Sequence, residues 1–594
     1  MIKLSDYVMS FLVDHGATEV FMLPGGGAMH LDDSLGRCEG LRYTCFLHEQ
    51  ALAIAAEAYG QHTNRPGVGL VTSGPGSTNA ITAVAAGFID STPMFMISGQ
   101  AKRPDLKGST GVRQMGSQEV DIVSMVGCIT KYAVTVMEPT DIRYHLERAW
   151  HEATSGRMGP VWLDIPLDVQ AAMVDESALK GFAPSRDATT ASLPVDEIIK
   201  ALSKAKRPLI LAGNGIKLSN ACDKVREFTQ ACQIPMVLTW KMADFLDYED
   251  QLNFGHPGIM GSRFANFIVQ NADLLLILGS RLDPSVTAFN STDFGRSAFK
   301  IMVDIDASEI RKVKGIDMGV TSGISELMDA LLPRRAELPQ TGRSEWLSFC
   351  RVVKEKYPVM TREHAESADQ VNLYYFTDTL FRQLNADDVI VPESSGAAGE
   401  VTYQAMRVKS GQKIKNAAGL GSMGFGLPYA IGACIANNRR RTILINGDGA
   451  FQLNIQELET VARLKLPVKM FIWDNNGYGS IMTTQRNMFD GFFVGSEPAS
   501  GLTLPDVCAL GKAYGLRTAE ASAHSHLEQT IRDVLSGNEP VLCKIRTAKA
   551  HLTMPKVQAM KLPDGGMASK PLEDMWPYLP AEEVAANMPD GKRN

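Results

Sequence analysis

A Gly-Asp-Gly turn at Gly447–Gly449 and an Asn-Asn pair at Asn475–Asn476 bracket one strand-helix-strand unit, GDGAFQLNIQELETVARLKLPVKMFIWDNN. ILING is a short apolar run ending in glycine. NIQELETVARL has helical periodicity, and VKMFIWD is a second β-rich run. Parallel strands joined this way deliver Asp448 and Asn476 to one carboxyl edge of a sheet. A hard divalent cation shared with phosphate oxygens would find there one carboxylate, one amide oxygen and one backbone carbonyl. Gly447 and Gly449 let the backbone approach the phosphates. The residues therefore read as a magnesium-diphosphate site; the bland alternative, an ordinary strand-turn-helix, is what a lone Gly-Asp-Gly would suggest.

Other residues carry possible chemistry. Glu49 opens the alanine-rich run HEQALAIAAEAYG, where a buried carboxylate is costly unless paired or used; a first-turn glutamate favoured by the helix dipole is the alternative. Gly25, Gly26 and Gly27 follow an apolar run and a proline, as in a loop whose backbone must approach a ligand, or in a plain turn. Gln118 lies in the polar run GSQEVDI, where such a residue is usually only solvated.

The chain's 594 residues exceed one core and suffice for three domains. The pattern predicts an α/β chain of three doubly wound parallel-sheet domains. The first spans 1–174, with strands in EVFMLPG, VGLVTSGPG, MFMISGQ and VWLDIP. The second spans 190–337, with strands in PLILAGNG, PMVLTW, LLLILGS and KIMVDID. The third spans 370–548, and 549–594 reads as an irregular arm or lid. Polar stretches at 175–194 and 338–345 read as linker and break. The net charge of −7 provides no basic footprint for nucleic acid or an anionic membrane. Nine cysteines without a C-x-x-C indicate neither zinc nor a disulfide framework, so a reducing, cytoplasmic setting is expected. The N-terminal run reads directly as an amphipathic helix, with no membrane span.

LPGGGAMHL, FLHEQAL, TSGPGSTN, GPVWLDIPLDVQ, GLGSMGFGLPYAIGA and the GDG…NN run occur in an order that resembles thiamine-diphosphate enzymes, most closely the acetolactate synthase catalytic subunit, over nearly the whole chain. The resemblance implies a carboligase that decarboxylates pyruvate or a similar 2-oxo acid and passes the acyl unit to a carbonyl acceptor. It implies that Asp448, Asn476 and the carbonyl of Tyr478 hold Mg2+, with Gly421, Gly447, Gly449, Ala450, Gly479 and Ile481 around the cofactor. Met423 would prop the cofactor bent. Glu49 would hydrogen-bond its aminopyrimidine, with Gly26 and Gln118 beside the reacting carbon. In the middle domain it implies FAD, with Gly213, Gly215, Gly261, Arg263, Arg281 and Asp304 as contacts; a vestigial nucleotide domain is the alternative. It also implies a homodimer or homotetramer whose sites need two chains. A non-catalytic, cofactor-sensing paralogue is the reading from another class, against which intact Glu49, Asp448 and Asn476 stand.

Three positions depart from the family pattern. Ser285 stands where acetolactate synthases usually carry an acceptor-gripping arginine, Gln485 where they carry tryptophan, and Ser117 where they carry phenylalanine. Such a pocket would be roomier and more hydrogen-bonding. That suggests, as an alternative, transfer of a two-carbon branch to a nucleotide-linked ketosugar; a simple 2-oxo acid decarboxylase is less expected.

Overall fold

The computed structural model describes residues 1–184, 192–339, 343–366, 370–549 and 551–588. Parts of both predicted linkers, and the chain beyond 588, lie outside the described residues. Three parallel sheets dominate. The first has the spatial order Arg42–Cys45, Glu19–Met22, Gly67–Val71, Met94–Gln100, Pro160–Pro166, Tyr132–Thr135. The third repeats that order with Lys413–Ile414, Val389–Pro392, Thr442–Gly447, Val468–Asp474, Val541–Arg546 and Arg517–Ala521. The central sheet runs Met236–Leu238, Pro208–Ala212, Leu274–Leu278, Phe299–Asp304, Met318–Thr321. Every pairing within the three sheets is parallel. Central strands such as Gly67–Val71 and Leu274–Leu278 are fully buried because helices cover both faces, which is why they read as unbroken apolar runs.

Each sheet has a crevice where the winding direction reverses, between its first and third strands, and the carboxyl ends of those strands carry the glycine turns. The first and third domains meet through two helices, Glu49–Thr63 and Gly426–Ala436. Small residues permit the approach. A Cβ on Gly432 would stand 2.2 Å from the carbonyl oxygen of Ala55, so only glycine fits at that crossing.

The run predicted as one helix after the Gly-Asp-Gly turn is instead a short helix Asp448–Phe451, a 3-10 segment Gln452–Glu457 and a helix Leu458–Arg463. The break falls at Asn454 (φ −136°, ψ 32°), whose amide donates to the carbonyl of Gly424 (2.8 Å) and to Gln50 Oε1 (3.1 Å). A side chain committed to two outside acceptors takes its residue out of helical geometry.

Residues 551–588 form two small antiparallel ribbons and a short helix, Ala581–Ala586. They are laid along the central domain's helix Arg263–Asn271, all nine residues of which are buried. Among the described residues no helix is long and apolar enough to cross a membrane.

Candidate active site

Asp448 is the first residue after the strand Thr442–Gly447, and it is 3% exposed. Its Oδ1 accepts from the N–H of Gly449 (2.8 Å) and its Oδ2 from those of Asn476 (2.6 Å) and Gly477 (3.3 Å). The two strand ends are thereby fastened together as their spacing predicts. Asn476 takes a left-handed conformation (φ 58°), one that asparagine tolerates. Tyr478 lies against Gly449 so closely that a Cβ there would meet its ring carbon Cε1 at 2.5 Å. Burial, and next the carboxylate of Asp474, hold Asp448 well above the usual carboxylate range. Two acids at the end of adjacent strands create a demand for positive charge that a hard divalent cation meets. Among the described residues no three His, Cys, Asp or Glu side chains gather as a metal site.

Beside Gly447 the turn is open. A Cβ on Gly447 would meet nothing within 4 Å. Met423 is 38% exposed and Ile481 49%, and Gly421 turns the loop before Met423 with φ 65°. Ala450 is buried in the turn's short helix. Gly479 begins the next helix, Gly479–Met488, where a Cβ would strike the amide of Asn475 at 2.5 Å.

Glu49 is the first residue of its helix, which is capped by His48 through the N–H of Gln50. It is half-buried, a milder position than the apolar flanks suggested, and its Oε2 accepts from Asn79 Nδ2 (3.0 Å). Its neighbours bind the third domain of the same chain: the N–H of Leu47 donates to Glu457 Oε1 (3.1 Å), and Arg463 donates to the carbonyl of Cys45 (2.7 Å).

The glycine loop is clamped on both sides of Gly26. Gly25 N–H donates to Asp32 Oδ2 (3.1 Å), Gly27 N–H to Thr72 Oγ1 (3.0 Å), and Gln170 Nε2 to the carbonyl of Gly27 (2.7 Å). Gly26 itself faces open space. Gln118 is exposed, in a left-handed conformation (φ 59°), with its carbonyl packed on Gly74 where a Cβ would come within 2.4 Å. Asp32, Gln170 and Asp474 were not singled out by sequence; all are polar residues beside a glycine turn or strand end, a signal too common to select them.

In the central domain a cavity of about 500 Å3 opens at the reversal point of the sheet, lined by Gly213, Gly215, Arg281 and Asp304 among others. The backbone is tight there. The N–H of Gly213 donates to Leu278 (2.8 Å), and a Cβ on it would lie 2.2 Å from the carbonyl of Gly279. Burial raises Asp304 above the usual carboxylate range. Gly261 and Arg263 do not line this cavity. The Arg263 guanidinium is turned to the C-terminal arm, donating to the carbonyls of Met575 (3.2 Å) and Pro577 (2.6 Å).

Of the three departures, Ser285 lines the cavity and its hydroxyl bonds to Asp283. Gln485 donates to the carbonyl of Val494 (3.0 Å) and accepts from Ser496 Oγ (2.7 Å), pinning the loop after its own helix. Ser117 is exposed beside Gln118. All nine cysteines are free.

Comparison with known proteins agrees with the three-sheet α/β fold. Residues 2–125 match the N-terminal TPP binding domain of thiamine pyrophosphate enzymes, residues 195–331 their central domain and residues 395–545 their C-terminal TPP binding domain. The chain is 30% identical to the acetolactate synthase isozyme 2 large subunit of Escherichia coli (strain K12), across 96% of this chain and 99% of that one. It is 29% identical to the acetolactate synthase large subunit of Lactococcus lactis subsp. lactis (strain IL1403), across 93% and 94%. With the chloroplastic acetolactate synthase of Arabidopsis thaliana it shares 29%, across 95% and 83%. Three matched domains in sequence order and similarity along the full length of both chains place this protein in the acetolactate synthase family of thiamine pyrophosphate enzymes.

Proposed function

We propose that this protein decarboxylates pyruvate, or a similar 2-oxo acid, and joins the acyl unit to a second carbonyl compound, as an acetolactate synthase-like carboligase. The observation that carries the reading is the turn at Asp448, where two acids at adjacent strand ends call for a cation beside an open glycine backbone. Asp448, Asn476 and the Tyr478 carbonyl would hold Mg2+, and Gly447 and Gly449 would admit the diphosphate. Thiamine diphosphate, when bound, supplies the nucleophilic carbon and the sink for the electrons left by carbon dioxide. The protein's part is orientation and electrostatics. Glu49 would accept a hydrogen bond from the protonated pyrimidine ring and stabilise its charge. Met423, 38% exposed, would prop the cofactor bent. Gly26, clamped yet unobstructed, leaves room for the reacting carbonyl, with Gln118 at the rim.

FAD would occupy the central cavity, whose volume suits a sizeable ligand. Gly213 and Gly215 would meet its phosphates, with Arg281 supplying positive charge. The exposed apolar side chains of Leu420, Met423, Leu453 and Ile481 favour a homodimer or homotetramer that covers them. The test is incubation with pyruvate, Mg2+ and thiamine diphosphate, with and without FAD, followed by product identification. Acetolactate with carbon dioxide release is expected; pyruvate left unconsumed overturns the proposal. Sedimentation of the active species tests the assembly, and an active monomer would refute it.

A further inference from the structure

Glu119 is a buried carboxylate, 6% exposed, at the foot of the loop that carries Gln118. Its Oε1 accepts from the backbone N–H of Lys107 (2.5 Å), and its Oε2 from those of Met115 (2.8 Å) and Gly116 (3.3 Å). Burial works to raise its pKa, but the three amides outweigh it and hold the group below the usual carboxylate range. Gln114 adds a fourth tie, its side-chain amide donating to the Glu119 carbonyl (3.0 Å). Residues 108–115 are all exposed in the chain, so no apolar core shapes this stretch. One carboxylate gathers it instead.

Gln118 stands between this anchor and the turn that follows the strand Gly67–Val71. Its left-handed backbone (φ 59°) is one that a residue with a side chain adopts where its surroundings impose it. Those surroundings are two. On one side Glu119 is fastened, and the next carbonyl, that of Val120, accepts from Gln100 Nε2 (2.8 Å). On the other the Gln118 carbonyl is packed on Gly74, where a Cβ would come within 2.4 Å. The same turn also holds Glu49: Asn79 donates to its Oε2 (3.0 Å), and a Cβ on Gly76 would lie 3.6 Å from its Oε1. All of these residues belong to the first domain, so the relation holds within one chain, whichever chain supplies the Asp448 turn.

We infer that Glu119 is a positioning residue that, by gathering the 107–116 backbone, seats Gln118 on the Gly74 turn at a fixed place relative to Glu49 and so fixes where the 2-oxo acid is held. The inference rests on the assignment of Gln118 to the substrate side of the site. The informative variant is Glu119→Gln, which keeps the shape but turns an N–H donor towards backbone that needs an acceptor.

The first measurement is amide hydrogen exchange on the full-length chain without cofactor, where residues 107–116 should exchange about tenfold faster or more in the variant. Calorimetric affinity for thiamine diphosphate in excess Mg2+ should stay within about twofold, while kcat/KM for pyruvate falls about tenfold or more. With Gln118→Ala already in place, adding Glu119→Gln should cost less than about twofold, whereas a merely structural role gives the same loss in both backgrounds. Glu119→Asp, which keeps the charge and its acceptor oxygens, should recover part of the exchange protection and of kcat/KM. If Glu119→Gln does not fold, Gln114→Ala, on the exposed side of the loop, should give a smaller loss of kcat/KM that likewise vanishes beside Gln118→Ala. Equal losses with and without Gln118, or parental exchange and kcat/KM in whichever variant folds, would overturn the role of Glu119 alone. A parent that consumes no pyruvate, or a Gln118→Ala variant with parental kcat/KM, would overturn the assignment of Gln118 and this inference with it.

Discussion

The backbone N–H of Asn476 lies between two carboxylates, 2.6 Å from Asp448 Oδ2 and 3.2 Å from Asp474 Oδ1. One peptide group thus holds together the ends of the strands Thr442–Gly447 and Val468–Asp474, and it does so with a donor that two acids must share. The arrangement is under-compensated as it stands, and a cation bound beside Asp448 would relieve it.

Asp448→Ala should therefore abolish Mg2+-dependent retention of thiamine diphosphate, because the remaining oxygens cannot offset the diphosphate's charge. The loss should appear in binding before it appears in chemistry. Calorimetry with and without Mg2+ measures it, and unchanged affinity would remove Asp448 from the metal's coordination.

Glu49→Gln should fold and bind the cofactor, since the amide can keep an oxygen towards Asn79. Turnover should drop about 100-fold or more, the usual cost of losing one preorganised electrostatic contact. Pyruvate consumption at saturating cofactor is the measurement; parental turnover would exclude the role.

Gly432→Ala drives a methyl towards the carbonyl of Ala55, with backbone on both sides of the contact. Overpacking of this kind costs about 1–3 kcal/mol. A lowered thermal midpoint is expected, with reduced turnover because one of the two crossing helices bears Glu49; a midpoint equal to the parent's would show that the crossing has slack.

Asp164 is fully enclosed between Ser98 (2.6 Å), Gln100 (3.0 Å) and Thr135 (3.1 Å), and burial pushes its pKa from 3.8 up to about 7. The native state therefore keeps a proton that the unfolded chain loses near pH 4. Stability from this group is greatest below that pH and declines as pH rises to about 7, beyond which the decline is complete. Asp164→Asn has no proton to lose, so its thermal midpoint should gain on the parent's between pH 5 and pH 8. A difference between the two chains that stays constant with pH would contradict the assignment.

The sequence made the buried strands plain and the edge strands nearly invisible. Leu274–Leu278 is five apolar residues in a row, whereas Arg42–Cys45 reads RYTC because two of its four residues face solvent at the sheet's edge. Asp448 and Asn476 were legible because strand, turn and strand fix their meeting point locally. Arg263 was not, because its partners at Met575 and Pro577 are brought by tertiary packing that no local pattern encodes. The clamp on Gly26 was hidden for the same reason, with Thr72 and Gln170 reaching it from distant segments.

The belt of residues 551–588 along the Arg263–Asn271 helix bears on the order in which this molecule can mature. Arg263 and Met575 are 312 positions apart, and Asn266, Gln270 and Asn271 find acceptors at Leu572, Glu573 and Asn587. A ribosome adding about 5–20 residues per second would expose that helix for some fifteen seconds to a minute before its partners emerged. The central domain is synthesised second and finished last: until the arm emerges, the amides of Asn266, Gln270 and Asn271 have only their partners within the domain, Gly258, Asp293 and Phe267, and the Arg263 guanidinium lacks both carbonyls it donates to.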